Sequence, residues 1–221
     1  MEPVKIEDFR NRTGISRGDL FRSWQNSAAV VGLRELAVID QVLVMPKDYL
    51  AAMLRGVPLL GKPDIFPYKN AVFTSLRMDP RGVLVAQTFV ERKKCLNLLE
   101  TFNGKLTGFL LTNGVAKCTA FIAHGLTKDG VAAVAHYVPP LVELQGDRHI
   151  LLDGTHRDYL VMTIGTTIEA IVISGVSQQF PCTPVPWSEV RPVDEKPPKA
   201  ERNRDLMPEL FRDLKHVGID G

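Results

Sequence analysis

Disulfide chemistry has little to work with in this chain. Its 221 residues hold three cysteines, Cys95, Cys118 and Cys182, far apart and odd in number. No CxxC pair or zinc-type spacing occurs among them, so neither a disulfide framework nor a structural zinc site is indicated. Buried free thiols in a reducing compartment are the expectation. An excess of charge of one sign is also missing: 27 Lys and Arg face 25 Asp and Glu, for a net charge of +2. That balance gives no global electrostatic case for wrapping duplex DNA, although it permits a local basic face. No apolar run approaches the roughly 20 residues of a membrane helix. The opening "MEPVKIEDFRNRTG" has acidic residues and no apolar core, unlike a secretory signal. These absences point to a soluble, cytoplasmic protein with no membrane partner.

What is present is ordinary globular composition, with 45% hydrophobic and 24% charged residues. From Ser27 to about Leu54, Val30, Val31, Leu33, Leu36, Ala37, Ile39 and Val42 recur at threes and fours, which predicts a helix ended by Pro46. "PKDYLAAMLRG" predicts another, with Gly56 after its end. "AVFTSLRM" and "VLVAQTFV" flank "DPRG" and read as a hairpin; "ERKKCLNLLETF" has helical spacing. "GFLLTNG" and "AKCTAFIAHG" suggest strands around Asn113-Gly114, and "PLVEL" and "HILL" suggest a hairpin around "QGDR". "IEAIVISGV" reads as a buried strand, and "DLMPELFRDLKHVG" as an amphipathic helix with Leu206, Leu210, Phe211, Leu214 and Val217 on its apolar side. The fold class expected is α+β. A single domain spans 1–190, with 1–66 mainly helical and 67–190 containing the sheet. A Pro- and charge-rich linker and the terminal helix occupy 191–221.

The stretch with most chemistry is "HILLDGTHRDYLVMTIG". Thr155 and Asp158 have the T-x-x-D spacing of a capping box, in which side chains satisfy backbone N–H groups at a helix start. In that reading His156 and Arg157 are merely solvated. The same turn also reads as a phosphate pocket. A helix N-terminus offers N–H donors and the positive end of the helix dipole. Gly154 lets a phosphate approach the backbone, and His156 and Arg157 add cationic or hydrogen-bonding side chains. Asp153 suits a base, a magnesium ligand or an acceptor for a sugar hydroxyl.

From "PLVEL" through "HILLDGTHRDYL", Gly165 and "IEAIVISG", the chain resembles the core of the ParB/sulfiredoxin superfamily over Val138 to Val176. Members of that superfamily carry a strand, a glycine-containing turn ending in Arg, a helix and a returning strand. Asp153, Gly154, Thr155, His156 and Arg157 fall on the five turn positions. The resemblance implies a mixed sheet carrying strand–DGTHR–helix–strand, to which the apolar spacing adds N-terminal helices and a tail helix. It also implies binding of ATP or another nucleotide with Mg2+ by Gly154, Thr155, His156 and Arg157, with Asp153 and His156 as catalytic candidates. The corresponding activity is a magnesium-dependent phosphotransferase, such as an ATP- or ADP-dependent kinase, or a nucleotide hydrolase. Thr155 stands where sulfiredoxins have their reactive cysteine, so sulfinic acid repair is not implied. The free-serine kinases of the superfamily add an upstream glutamate, for which Glu91, Glu100 and Glu143 are all candidates. No metal ligands are assigned by motif.

Outside this segment, His124 and His136 lie in apolar strand-like surroundings and read as structural. Arg92, Lys93 and Lys94 open a predicted helix, where positive charge is unfavourable for the dipole, and read as a solvated face or a basic contact. Trp187 reads as a pin onto the core. The alternatives to a small-molecule site are a nucleic-acid-binding module, in which the same turn and the basic triplet contact backbone phosphate, and a non-enzymatic structural or regulatory protein. A homo-oligomer through the terminal helix is compatible with all three.

Overall fold

β-branched residues decide the first half of the chain. In the computed structural model, described over residues 3–15, 27–103 and 120–219 with side chains of 99–103 and 216 left aside, the expected helix from Ser27 is strand. Ala29–Val31 forms β2, a 3-10 turn covers Leu33–Glu35, and Leu36–Val44 forms β3. Val, Ile and Leu at threes and fours satisfy a helical spacing, but Val30, Val31, Val38, Ile39, Val42 and Val44 lose side-chain freedom in a helix and pack well on a pleated surface. The helix α2 (Lys47–Arg55) does follow, between Pro46 and Gly56. Helix α1 (Ile6–Thr13) precedes these strands, after the short β1 (Val4–Lys5). The described residues among 1–66 are therefore not mainly helical.

The described residues group into two compact units, one of 1–70, 119–138 and 212–221, the other of 71–118 and 139–211. These boundaries differ from a 1–190 domain followed by a linker. The first unit carries a five-stranded sheet in the order β1-β2-β8-β7-β3, where β7 is Phe121–Thr127 and β8 is Ala132–Tyr137. Phe9, Leu36, Met53, Leu54, Phe121 and Ile122 are fully buried in it. His136 lies in this core, stacked on Phe9 with ring centroids 5.1 Å apart, and its Nε2 is 2.8 Å from Tyr49 Oη. Burial pushes the His136 imidazole down to about 4 and the Tyr49 phenol up.

The second unit carries the sheet β4-β11-β9-β10-β5, with β4 Val72–Met78, β5 Leu84–Val85, β9 Leu141–Gln145, β10 Arg148–Asp153 and β11 Ile168–Ser174. The sheet is mixed: β9 and β10 are antiparallel, whereas β11 runs parallel to β9 and β10 parallel to β5. The β9–β10 hairpin and the buried β11 match their sequence signals. The β4–β5 hairpin does not form; these strands lie at opposite edges of the sheet. "DPRG" instead makes a 3-10 turn at Pro80–Gly82, with the Asp79 carboxylate accepting from the Arg81 N–H. Proline fixes a negative φ where the tight two-residue hairpin of type I′ needs a positive one.

Beyond the sheet, β6 (Phe89–Glu91) leads into helix α3 (Arg92–Asn103) and pairs in parallel with β12 (Arg191–Val193). The GFLLTNG/AKCTAFIAHG turn at Asn113-Gly114 and Cys118 lie outside the described residues. The expected terminal helix is two short 3-10 turns, Pro208–Leu210 and Leu214–Val217. Pro208 lacks the N–H that a continuous helix requires. Leu210 is buried in the second unit, and Leu214 and Val217 in the first. Among the described residues no helix is long and apolar enough to cross a membrane.

One backbone approach in the first sheet admits no side chain. A Cβ at Gly125 of β7 would lie 1.9 Å from the Val38 carbonyl oxygen of β3. Gly125→Ala should cost about 1–3 kcal/mol of stability. Gly82→Ala, where a Cβ meets nothing within 4 Å, should change it by less than about 0.5 kcal/mol. Denaturant unfolding of both variants checks this, and equal losses would contradict it.

Candidate functional site

Strand β10 does not run straight into the turn. Its pairing with β9 shifts between Leu151 and Asp153, a bulge that re-aims the strand end. Gly154 then takes φ 100° and ψ 15° as the N-cap of helix α4 (Thr155–Thr163). A Cβ there would sit 2.9–3.0 Å from Cα, Cβ and Cγ of Pro140, just before β9. Both the left-handed backbone and the proline wall therefore call for glycine. Helix α4 leads through Gly165 to β11, giving strand, turn, helix and returning strand in one continuous segment.

The capping-box geometry is not adopted. The cap is one residue earlier than that spacing needs, and no side chain caps the helix. Thr155 is instead the first helical residue, and the Asp158 N–H donates to the Gly154 carbonyl at 2.9 Å. The Asp158 carboxylate makes no return bond: both its oxygens are buried without a hydrogen-bond partner, and the residue is 0% exposed.

Four of the five turn residues have defined roles in the geometry. Asp153 Oδ2 accepts from Arg157 Nη2 at 2.8 Å, in an ion pair whose side chains are only 7% and 14% exposed. Arg157 is thus held in place by Asp153. His156 Nε2 accepts the Glu91 backbone N–H at 3.0 Å, which puts the proton of the neutral ring on Nδ1 and ties α4 to β6. Gly154 makes the turn, and Thr155 is buried. The structure brings Asp153, Gly154, Thr155, His156 and Arg157 together at one helix start, as adjacency in the chain requires. The new information is their engagement with one another and with β6.

Burial of Asp158 raises its carboxyl to about 7; the Arg157 charge acts in the opposite direction and Asp153 adds to the rise. Asp158 had no place in the sequence reading except as half of a cap. The signal available was an acidic residue three after the buried Thr155, on the inward side of the helix.

Of the glutamate candidates, Glu91 is adjacent to the turn. Its Oε1 is buried without a hydrogen bond, with Lys94 Nζ at 3.4 Å as a longer ion-pair partner. Glu143 is fully buried and accepts from Gln145 Nε2 at 2.8 Å. It pairs across the sheet with Ile150, whereas Val142 beside it packs with Tyr159 of α4, so Glu143 belongs to the face away from the helix. The Glu100 side chain lies outside the described residues.

Of the basic triplet, Arg92 pairs with Asp194 at 2.8 Å on the surface and Lys94 faces Glu91. Helix α3, which they open, packs on α4. Trp187 donates from Nε1 to the Pro80 carbonyl at 2.7 Å and packs on the sheet cluster with Tyr159, as a pin. His136 is a core residue of the other unit, and His124 is in β7 with Nε2 buried and without a hydrogen bond. Among the described residues no group of three or more His, Cys, Asp and Glu is placed to hold a metal ion.

No protein-family model, curated protein or solved structure matches this chain.

The buried carboxyl makes stability depend on pH. Its folded value, about 7, lies above the unfolded value of 3.8. Between those values the folded chain keeps a proton that the unfolded chain releases, so stability falls as pH rises from about 4 to beyond 7. Asp158→Asn, which mimics the protonated form, should remove this loss and melt higher than the parent at pH 8. A variant that melts lower at pH 8 with an unchanged pH profile would contradict the assignment.

Proposed function

We propose that the chain binds a nucleotide or another phosphorylated small molecule at the start of α4. The observation that carries this reading is a helix N-terminus left without a side-chain cap behind a left-handed glycine, with a half-buried Arg157 held beside it. Oxygen atoms of a phosphate would be taken by the Gly154–Thr155 backbone and by the guanidinium, where the helix dipole also favours negative charge. Asp153 positions that guanidinium. His156, anchored on the Glu91 N–H, positions the turn against β6 and is assigned this holding role ahead of proton transfer.

The strand–turn–helix–strand order and the mixed sheet support the resemblance to the ParB/sulfiredoxin superfamily, and with it phosphoryl transfer or nucleotide hydrolysis as the reaction class. In such chemistry positioning and electrostatic stabilisation dominate, so a strong nucleophile is not required. A protein-held magnesium centre does not fit the residues at the turn. Asp153 is paired with Arg157, and among the described residues no group of three ligands converges. Magnesium would arrive with the nucleotide phosphates.

A nucleic-acid-binding module is the second reading, favoured by the position of Arg92, Lys93 and Lys94 on the helix that packs against α4. The acidic partners of Arg92 and Lys94 place it second.

Thermal melting of the parent and of His156→Ala/Arg157→Ala against ATP, ADP, CTP and GTP, with and without Mg2+, tests the proposal. A ligand at a hundredfold excess over Kd stabilises the folded state by about 2.7 kcal/mol. The melting temperature of the parent should therefore rise by several degrees with at least one nucleotide, and the double variant should show no rise. No shift with any nucleotide would overturn the reading. Oligonucleotide binding that weakens steeply with salt would then favour the second one.

A further inference from the structure

Three groups around the α4 turn can carry negative charge: Asp153, Asp158 and Glu91. Two cations answer them by ion pairing at short range, Arg157 on Asp153 and Lys94 on Glu91. Asp158 is left over. It is sealed from water, both oxygens lack hydrogen bonds, and its own backbone N–H closes the first turn of the helix at Gly154. A carboxylate so placed adds a negative charge with no ion-pair partner one helical turn behind Gly154, where the phosphate would bind. A carboxylic acid there does not.

We propose that this site is proton-coupled: a phosphate ester binds at the start of α4 together with a proton on Asp158. The inference rests on the phosphate-binding reading above and adds the state in which the site is competent. With Asp158 protonated, Asp153 and Arg157 cancel and the helix dipole attracts the anion. With Asp158 ionised, the turn carries one net negative charge and repels it. By linkage, the anion in turn holds the proton on Asp158 more firmly.

The charged groups on the elements packed against α4 do not replace Asp158 in this role. On β6, Glu91 is paired with Lys94 of α3. Arg92 of α3 is paired with Asp194, and Lys93 is exposed at the opening of that helix. Arg81, on the Pro80–Gly82 turn, is held at the surface by Asp79 at 2.7 Å. On α4 itself, His156 takes the Glu91 N–H on Nε2. Burial of Asp158 favours its neutral form and outweighs the Arg157 charge, which favours the ionised one; the Asp153 charge adds a smaller push toward the neutral form. Asp158 acts here as a positioning residue: it does not touch the ligand, and it sets the charge that the ligand meets.

The experiment is calorimetric titration of ADP, without metal, into the parent and Asp158→Asn between pH 6 and pH 9. The parent is also titrated at pH 8 in two buffers of different ionisation enthalpy. Ionisation of the ADP phosphate acts on both proteins and cancels between them. The proposal expects the affinity of the parent, relative to the variant, to fall by about tenfold per pH unit above neutrality. It also expects net proton uptake on binding at pH 8, a readout that needs no variant. Parallel pH profiles for the two proteins, or binding at pH 8 without proton uptake, would overturn the coupling and leave the phosphate reading standing. Absence of binding by the parent at every pH would overturn both.

Discussion

The carboxyl group of Asp158 is enclosed in the first turn of α4 with neither oxygen hydrogen-bonded, and the surrounding turn is organised around that constraint. An enclosed carboxylate would cost several kcal/mol, so the group is held in its neutral form toward neutral pH. Its backbone N–H fixes Gly154 as the cap, and the left-handed glycine leans on Pro140 too closely for any side chain. The strand bulge before Asp153 and the hydrogen bond from Glu91 to His156 lock the turn from two other directions. The result is a helix start whose position and charge are both set by neighbours, the condition for preorganised anion capture.

The second sheet puts this helix start at the end of an interior strand. β10 lies between β9 and β5, and β11 returns alongside β9 on the other side. Val142, Leu151, Ala170 and Val172 fill the face on which Tyr159 and Trp187 pack. Removing the Trp187 pin would loosen the Pro80–Gly82 turn, to which α4 is also packed. Packing and site are thus coupled within one compact unit, whereas the buried Phe9–Tyr49–His136 cluster belongs to the other.

Local signals that name one structure were legible in the sequence. Gly-Asp in the β9–β10 turn, Pro46 and Gly56 around α2, and the Leu spacing of α3 each specify an element by a mechanism confined to a few residues. Apolar spacing between Ser27 and Met45 did not, because it suits a helix and a strand with irregular pairing alike; β3 has two such irregularities against β7. The β4–β5 pairing and the terminal helix failed for a different reason. β4 is claimed by β11, more than 90 residues later in the chain, and Pro208 interrupts the apolar pattern that suggests a helix. At the candidate site, adjacency made Asp153 to Arg157 visible at once. The Asp153–Arg157 pairing and the Glu91–His156 bond were not visible, since both need the fold, and Asp158 looked like half of a cap until the glycine moved that cap by one residue.

Backbone amide spectra of the 15N-labelled protein, titrated with ADP at pH 6.5, test the central claim most directly. The account predicts that the largest shifts fall on the amides of Gly154 to Asp158, with Glu91 following through its bond to His156, and that the β7–β8 amides of the other unit stay still. Shifts concentrated away from the β10–α4 turn, or none at millimolar ADP, would contradict it.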